Sequence, residues 1–272
     1  MKKTVIALLL CFAIAVPAFS SGTAESVEKT SLTVFAAASL TETMTEIANG
    51  YMALHPDVEI LLNFDSSGTL KTQIEEGAEC DLFISAGQKQ MNQLDITDTK
   101  NNTKGLDYVM EGTRIDLLEN KVALAVPEGN PKGITSFDQL SDLLKSHNVF
   151  LSIGNSDVPV GQYTKLIFTF YGIDEEEVAN AGCLTYGSNV KEVTTQVKEN
   201  SVDCGIIYST DAFSAGLEVV DTATKEMCGQ VIYPAAVIKT SKNPEKAKAL
   251  LAYIESDDAM KIFESVGFSP VK

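Results

Sequence analysis

Apolar residues along this chain alternate between short extended runs and stretches with helical spacing. The run 32–37 is followed by 41–54, where apolar side chains recur every three or four residues until His55-Pro56 ends the pattern. The alternation continues to residue 85 and resumes after residue 120. Short strands that alternate with helices are typical of α/β layers built on a mostly parallel sheet.

The pattern predicts individual elements, and it predicts a polar loop over 95–113. The predicted strands are 32–37, 58–63, 81–85, 121–126, 149–153, 183–185, 204–208 and 231–239. The predicted helices are 41–54, 70–76, 136–144, 162–171, 190–199, a short one from 209, 243–255 and 257–266.

Residues 1–24 have the layout of a secretory signal peptide. Lys2 and Lys3 precede an apolar run over 5–19, and small residues follow it. The run is short for a membrane span, so a retained anchor is the less favoured alternative. Cleavage after "PAFS" or near "GTA" stays open, and Cys11 lies among leucines, which disfavours lipid attachment there. The sequence therefore predicts a periplasmic or otherwise extracytoplasmic protein.

The chain is strongly acidic. Its 272 residues carry a net charge of −16, and removal of Lys2 and Lys3 with the signal makes this −18. Nucleic acid and anionic membrane surfaces are poor partners for such a protein. Any anionic ligand must therefore be held by local dipoles, against the overall field.

Four cysteines remain after the predicted signal: Cys80, Cys183, Cys204 and Cys228. Export permits disulfides, and four cysteines allow three complete pairings. Free buried thiols are the alternative, because cysteine is among the most often buried residues. The spacing contains no C-x-x-C pair that would suggest a metal or redox site.

Five strand-to-helix junctions carry small or neutral residues. They are "FAAASLTETM" with Ser39, "NFDSSGTLKTQI" with Ser66 and Ser67, "IGNSDVPVGQYTKL" with Val160 and Gly161, "TYGSNVKEVTTQV" with Asn189 and Val190, and "CGIIYSTDAF" with Tyr208. The first turn of a helix has unpaired N–H groups and the positive end of the helix dipole, which together suit an anion. Ordinary helix capping is the alternative at each junction. No lysine or arginine occupies a tip, and Lys191 lies one residue inside its helix.

The order and spacing of these motifs resemble the periplasmic molybdate-binding proteins of bacterial ABC importers. The resemblance runs from about residue 31 to the C-terminus and includes "VIYPAAVIK" and "IFESVGF". It implies a two-lobed α/β fold of the periplasmic-binding-protein type II, each lobe a mostly parallel sheet flanked by helices. Lobe 1 would comprise 31–118 and 231–272, and lobe 2 would comprise 119–230. Two hinge crossovers are expected near 121–127 and 231–236.

The resemblance also implies a ligand and its donors. Molybdate or tungstate would be held between the lobes by neutral groups alone: the hydroxyl and backbone amide of Ser39, the hydroxyl of Ser67, the backbone N–H groups of Val160 and Val190, and the phenol of Tyr208. It implies no cation site, no cofactor, a membrane ABC permease as partner and a monomeric binding protein. Val160 departs from the family, which more often has alanine there, and Ser188-Asn189 replaces an expected acidic pair.

Other functions are less well supported by the residues. His55 and His147 are the two histidines, and neither lies in a catalytic motif; G-x-S-x-G, P-loop and H-E-x-x-H patterns are absent. "DITDTKNN" lacks the glycine and terminal glutamate of a calcium loop. The closest competitor is a binding protein for another tetrahedral oxyanion such as sulfate, because neutral donors suit both dianions. Phosphate would gain from an acceptor carboxylate, and Asp65 and Asp157 are near the matched positions without occupying them.

Overall fold

The computed structural model describes residues 29–271, so the predicted signal peptide 1–24 lies outside the described residues. The strands are β1 Thr30–Ala37, β2 Val58–Asp65, β3 Leu82–Ile84, β4 Ile115–Asn120, β5 Val122–Val126, β6 Leu151–Gly154, β7 Leu184–Gly187, β8 Cys204–Tyr208, β9 Glu218–Thr222, β10 Val231–Val237 and β11 Ser269–Pro270. The helices are α1 Thr41–Leu54, α2 Ser67–Glu75, α3 Gln88–Leu94, α4 Phe137–Lys145, α5 Pro159–Tyr171, α6 Glu175–Asn180, α7 Val190–Lys198, α8 Ser209–Ala215, α9 Lys225–Cys228, α10 Pro244–Ile254 and α11 Asp257–Ser265. A 3₁₀ turn, Ala38–Leu40, joins β1 to α1.

These elements form two sheets flanked by helices, which confirms the expected two-lobed α/β fold. The expectation that each sheet is mostly parallel is wrong: both sheets are mixed, because the strands next to the lobe crossings, β4, β5 and β10, pair antiparallel with their neighbours. One sheet has the order β11-β4-β10-β3-β1-β2, and the other has the order β7-β6-β8-β5-β9. In the first, β1 runs parallel to β2 and β3, while β10 runs antiparallel to β3 and β4. In the second, β6 runs parallel to β7 and β8, while β5 runs antiparallel to β8 and β9. We call the first sheet with its helices lobe 1 and the second lobe 2.

The chain crosses between the lobes at two places. It leaves lobe 1 at Lys121, between β4 and β5, and it returns between β9 and β10. The first crossing lies at the beginning of the segment predicted as a hinge at 121–127, most of which is strand β5. The second lies before the predicted segment 231–236, which is entirely within strand β10. The proposed lobe segments are 31–118, 119–230 and 231–272, except that Glu119 and Asn120 end β4 and so belong to the lobe 1 sheet.

Burial explains which elements the sequence pattern predicted well. Every residue of β5 and β8 is buried, so these strands appear as continuous apolar runs. Helix α6 buries only Val178, and the edge strand β9 has no fully buried residue. Neither has an apolar period, and the prediction omitted both. The sequence prediction also omitted α3 and β4. The predicted loop over 95–113 is confirmed, because this stretch contains no helix or strand and only one isolated bridge, at Val109.

The cysteines belong to the core. Cys80, Cys183, Cys204 and Cys228 are all buried free thiols. Burial raises the pKa of the Cys80 and Cys204 thiols well above the usual value, so they stay protonated and unreactive. No helix among residues 29–271 is both long and apolar enough to cross a membrane.

Candidate functional site

The two adjacent serines that begin α2 have different tasks. Ser66 is the N-cap, and its hydroxyl accepts a hydrogen bond of 3.1 Å from the Thr69 N–H. Ser67 is the first helical residue and is completely buried. Its Oγ accepts a hydrogen bond of 2.9 Å from the backbone N–H of Ala86, which follows β3. Capping therefore accounts for Ser66 alone, and Ser67 is held in place by a different loop.

Ser39 lies in the 3₁₀ turn after β1 and is also buried. Its Oγ lies 2.9 Å from the phenol oxygen of Tyr233, which is in the middle of β10. The Asn120 side-chain amide donates to the same phenol oxygen over 3.2 Å. The second serine is thus fixed by polar side chains from the two strands that lead into and out of lobe 2.

Tyr208 ends β8 in lobe 2 and reaches the lobe 1 residues. Its hydroxyl donates to the Ala86 carbonyl oxygen over 3.4 Å, and its ring centroid lies 5.7 Å from that of Tyr233. Burial raises the pKa of both phenols far above the usual value, so both remain protonated. Ala86 consequently contacts Ser67 through its N–H and Tyr208 through its carbonyl.

Val160 and Val190 each lie in the first turn of a lobe 2 helix. Pro159 begins α5, and Asn189 caps α7 by accepting from the Glu192 N–H over 3.1 Å. Neither the Val160 nor the Val190 amide has a hydrogen-bond acceptor within residues 29–271. Both valine side chains are buried, so what each residue can offer a ligand is its backbone N–H.

Contacts across the lobe boundary bring the five residues to one place. A Cβ atom built on Gly87, next to Ala86, would lie 3.3 Å from Pro159 Cβ, next to Val160. Helix α7 packs against the 3₁₀ turn that holds Ser39. At the start of α2, a Cβ on Gly68 would lie 2.2 Å from the Asp157 carbonyl oxygen. The lobes are therefore closed on each other around these donors.

The nearest charged cluster contains one cation and two carboxylates. Lys191 Nζ lies 2.8 Å from Glu42 Oε2 in lobe 1 and 3.3 Å from Asp211 Oδ1 in lobe 2. Asp211 is buried, and burial raises its pKa to about 6 although Lys191 opposes the shift. The Lys191–Asp211 contact has the distance of an ion pair, but the Asp211 oxygens have no hydrogen bond of good geometry within the described chain. The contact is therefore a Coulombic one, and the positive charge of Lys191 is directed at the carboxylates of Glu42 and Asp211.

Four residues near the site had no part in the sequence prediction of ligand donors: Asn120, Tyr233, Asp211 and Glu42. Tyr233 stands in the quoted stretch "VIYPAAVIK", yet strand alternation does not distinguish a phenol facing a cleft from one in the core. Glu42 and Lys191 are 149 positions apart, so only the fold reveals their ion pair. Within the described residues, no group of three His, Cys, Asp or Glu side chains could hold a metal ion.

Comparison with known proteins gives a consistent family. The model of the bacterial extracellular solute-binding protein family matches residues 32–269. The molybdate-binding protein ModA of Escherichia coli is 33% identical over 241 residues, covering 88% of each chain. The molybdate-binding protein ModA of Haemophilus influenzae is 32% identical, covering 88% of this chain and 89% of that protein. An aconitate isomerase of Pseudomonas is 27% identical over 60% of this chain and 61% of its own length.

Solved structures share the fold. The periplasmic molybdate-binding protein of Azotobacter vinelandii superposes with a TM-score of 0.73 at 17% identity, covering 89% of this chain and all of that one. The sulfate-binding protein SubI of Mycobacterium tuberculosis superposes with a TM-score of 0.69 at 19% identity, covering 89% and 88%. Both are two-domain binding proteins by fold, and their different ligands show that the fold alone does not select the oxyanion.

Proposed function

The chain belongs to the family of bacterial extracellular solute-binding proteins, and from this premise we propose that it captures molybdate between its lobes for an ABC importer. Tungstate, which has the same charge and shape, is the second ligand of the proposal. The donors are the hydroxyls of Ser39 and Ser67, the N–H groups of Val160 and Val190, and the phenol of Tyr208.

One observation carries this proposal. The proposed donors, which are neutral groups from both lobes, are buried near the lobe boundary, while the nearby Lys191 is paired with Glu42 and Asp211. Preorganised N–H and O–H dipoles can replace the hydration of a small dianion without a cationic side chain. Such a site also keeps the ligand exchangeable, which a transport protein requires.

The same donors argue against phosphate, and the buried Asp211 carboxylate nearby is directed at Lys191. Near neutral pH phosphate carries a proton, and burying that proton requires an acceptor. The Asp65 carboxylate accepts from the Ser66 N–H, and Asp157 is exposed to solvent. Neither carboxylate is therefore placed as a buried acceptor for phosphate.

Sulfate is the second candidate, because it is fully ionised and its binding protein SubI shares this fold. Two relatives at 32% and 33% identity are named for molybdate, and this favours the larger oxyanion. The resemblance to an aconitate isomerase covers only part of the chain, and His55 and His147 are both exposed and are not among the proposed donors. We therefore propose binding without catalysis.

The remaining parts of the proposal concern location and partners. The layout of residues 1–24 supports export by a signal peptide, and the family is extracellular. The mature protein would act as a monomer outside the cytoplasmic membrane and dock on a membrane permease of the ABC type. No cofactor is part of the proposal.

Titration calorimetry of the secreted, processed chain tests this function. Molybdate, tungstate, sulfate and phosphate are titrated in parallel at one pH and salt concentration. We expect tight one-to-one binding of molybdate and tungstate, weaker sulfate and no phosphate. Sulfate binding tighter than molybdate binding would shift the function to sulfate capture, and no binding of any of the four would contradict it. Incubation with cis- and trans-aconitate, followed by chromatography, should show no interconversion.

A further inference from the structure

A buried chain of polar side chains leads from the first lobe crossing to Ser39. Asn120 ends β4, Tyr233 lies on the neighbouring strand β10, and Ser39 follows β1. All three side chains are buried. Asn120 Nδ2 lies 3.2 Å from the Tyr233 phenol oxygen, which in turn lies 2.9 Å from Ser39 Oγ. A hydroxyl can donate or accept a hydrogen bond, so which atom is the donor in each bond depends on the other partners of that hydroxyl.

The orientation of Asn120 is fixed by the backbone. The Lys121 N–H donates to Asn120 Oδ1 over 2.8 Å, and an N–H can only donate. The oxygen of the amide is thereby identified, and the opposite atom is the NH₂ group. That group donates to Thr210 Oγ1 over 2.9 Å and to the Tyr233 phenol oxygen.

The direction of the next bond follows from that of the first. The Tyr233 oxygen accepts from Asn120, so its single hydrogen is available for Ser39 Oγ, its other hydrogen-bond partner within residues 29–271. The reverse direction would leave the buried phenol hydrogen without a partner, which is unfavourable. Ser39 then accepts from Tyr233, and its own hydrogen is left to point to the cleft.

Ser67 shows the same polarity, produced by a different group. Its oxygen accepts from the Ala86 N–H over 2.9 Å, so its hydrogen is also left over for another partner. Two different groups thus orient the two hydroxyls in the same way. The Ala86 backbone amide orients Ser67, and the hydrogen-bonded side chains of Asn120 and Tyr233, which we call the relay, orient Ser39. Each serine therefore directs its hydroxyl hydrogen, and not an oxygen lone pair, toward the cleft.

We propose that Asn120 and Tyr233 are positioning residues that direct the Ser39 hydroxyl hydrogen toward the oxyanion. This rests on the proposed function and deepens it, because it names how the site selects its ligand class. A cleft that offers hydrogens only stabilises a fully ionised tetrahedral oxyanion. It disfavours one that keeps a proton, since that proton would meet another hydrogen and no acceptor.

A double-mutant cycle on Ser39 and Tyr233 tests whether Tyr233 acts through Ser39. Tyr233→Phe keeps the ring and removes the hydroxyl, and it should weaken molybdate binding about twofold to tenfold. In a Ser39→Ala background the same change should cost less than about twofold, because the hydroxyl it orients is gone. Equal losses in both backgrounds, or no loss from Tyr233→Phe alone, would overturn the proposal.

Asn120→Asp tests the direction of the relay. The substitution places an acceptor where the NH₂ group was, so Tyr233 donates to it, Ser39 donates to Tyr233, and a Ser39 lone pair faces the ligand. We expect molybdate affinity to fall and the ratio of phosphate to molybdate affinity to rise at least tenfold. Asn189→Asp is the matched control, since it adds the same charge beside Val190 outside the relay. It should weaken all dianions alike and leave the ratio unchanged.

Thermal unfolding of each variant shows whether it is folded at the temperature of titration, and only folded protein is titrated. The Tyr233 cycle is decisive if Asn120→Asp fails to fold. Absence of molybdate and tungstate binding in the unmodified chain would refute the proposed function. Binding by the unmodified chain with an unshifted phosphate ratio in a folded Asn120→Asp would refute the relay alone.

Discussion

The two faces of the cleft supply donors in different ways. Lobe 1 offers the side-chain hydroxyls of Ser39 and Ser67, each oriented by a hydrogen bond to its oxygen. Lobe 2 offers the backbone amides of Val160 and Val190 at helix starts. It also offers the Tyr208 phenol, whose hydrogen goes to the Ala86 carbonyl oxygen in this structure and has to turn to the oxyanion on binding. A hydroxyl donor depends on residue identity, whereas an amide donor depends on helix geometry. Conservative substitution of the lobe 1 serines should therefore lower ligand affinity, whereas conservative substitution at the amide positions of lobe 2 should change affinity little.

The largest effect should come from a change that prevents the two faces from meeting. Gly68→Ala would place a Cβ 2.2 Å from the Asp157 carbonyl oxygen, and rigid backbone cannot move aside. We expect molybdate affinity to fall roughly 100-fold with little loss of stability in the open form. Calorimetry and small-angle scattering with ligand check this. The control Gly50→Ala, in α1, meets only the flexible end of Tyr253 and should bind normally; normal binding by Gly68→Ala would contradict the closed arrangement.

The buried carboxylate of lobe 2 should control stability more than affinity. The Asp211 pKa is raised from 3.8 to about 6, so the native state holds its proton more tightly than the unfolded state. Its contribution to stability is present below pH 3.8 and is lost as pH rises to about 6. Asp211→Asn lacks this loss, so its stability relative to the parent should increase by roughly 2 kcal/mol between pH 4 and pH 7.

Urea denaturation at the two pH values measures the Asp211 effect. Asp142→Asn removes an exposed carboxylate of α4 and is the control, for which we expect a much smaller change. A pH-independent difference between Asp211→Asn and the parent would show that the Asp211 proton is not coupled to folding.

The adjacent serines of α2 separate binding from capping. Ser67→Ala removes a donor to the anion and should weaken binding by roughly 1.5–3 kcal/mol, the value of a hydrogen bond to a charged group. Ser66→Ala removes only the N-cap and should lower the free energy of unfolding by about 1 kcal/mol. Calorimetry and urea denaturation of both variants give the two quantities. Equal affinity losses in the two variants would remove the distinction between the serines.

The smallest effect on affinity is expected at a backbone donor. Val160→Ala keeps the N–H and shortens a fully buried side chain, so stability should fall by about 1 kcal/mol or more. Molybdate affinity should change by less than about threefold, since the donor is unchanged. A tenfold change, or a reversal of preference between molybdate and sulfate, would show that the valine side chain shapes the cavity.

The sequence pattern predicted the fold and the strand-to-helix junctions for identifiable reasons, whereas the five proposed donors at those junctions were implied by the family resemblance. Helix starts after strands are marked by small and capping residues, and buried strands such as β8 are continuous apolar runs. The sequence could not distinguish the roles of Ser66 and Ser67, because both precede the same helix. It also could not indicate the support of Ser39 by Asn120 and Tyr233, residues 81 and 194 positions away, which only the sheet order brings together.

A crystal structure with tungstate bound, with tungsten located by its anomalous scattering, tests the central claim most directly. We expect one tungsten peak between the lobes, with oxyanion oxygens at hydrogen-bond distance from Ser39 Oγ, Ser67 Oγ, the Val160 and Val190 N–H groups and the Tyr208 hydroxyl. Lys191 should remain paired with Glu42. A peak elsewhere, or a lysine or arginine nitrogen in contact with the oxyanion, would contradict binding by neutral donors alone.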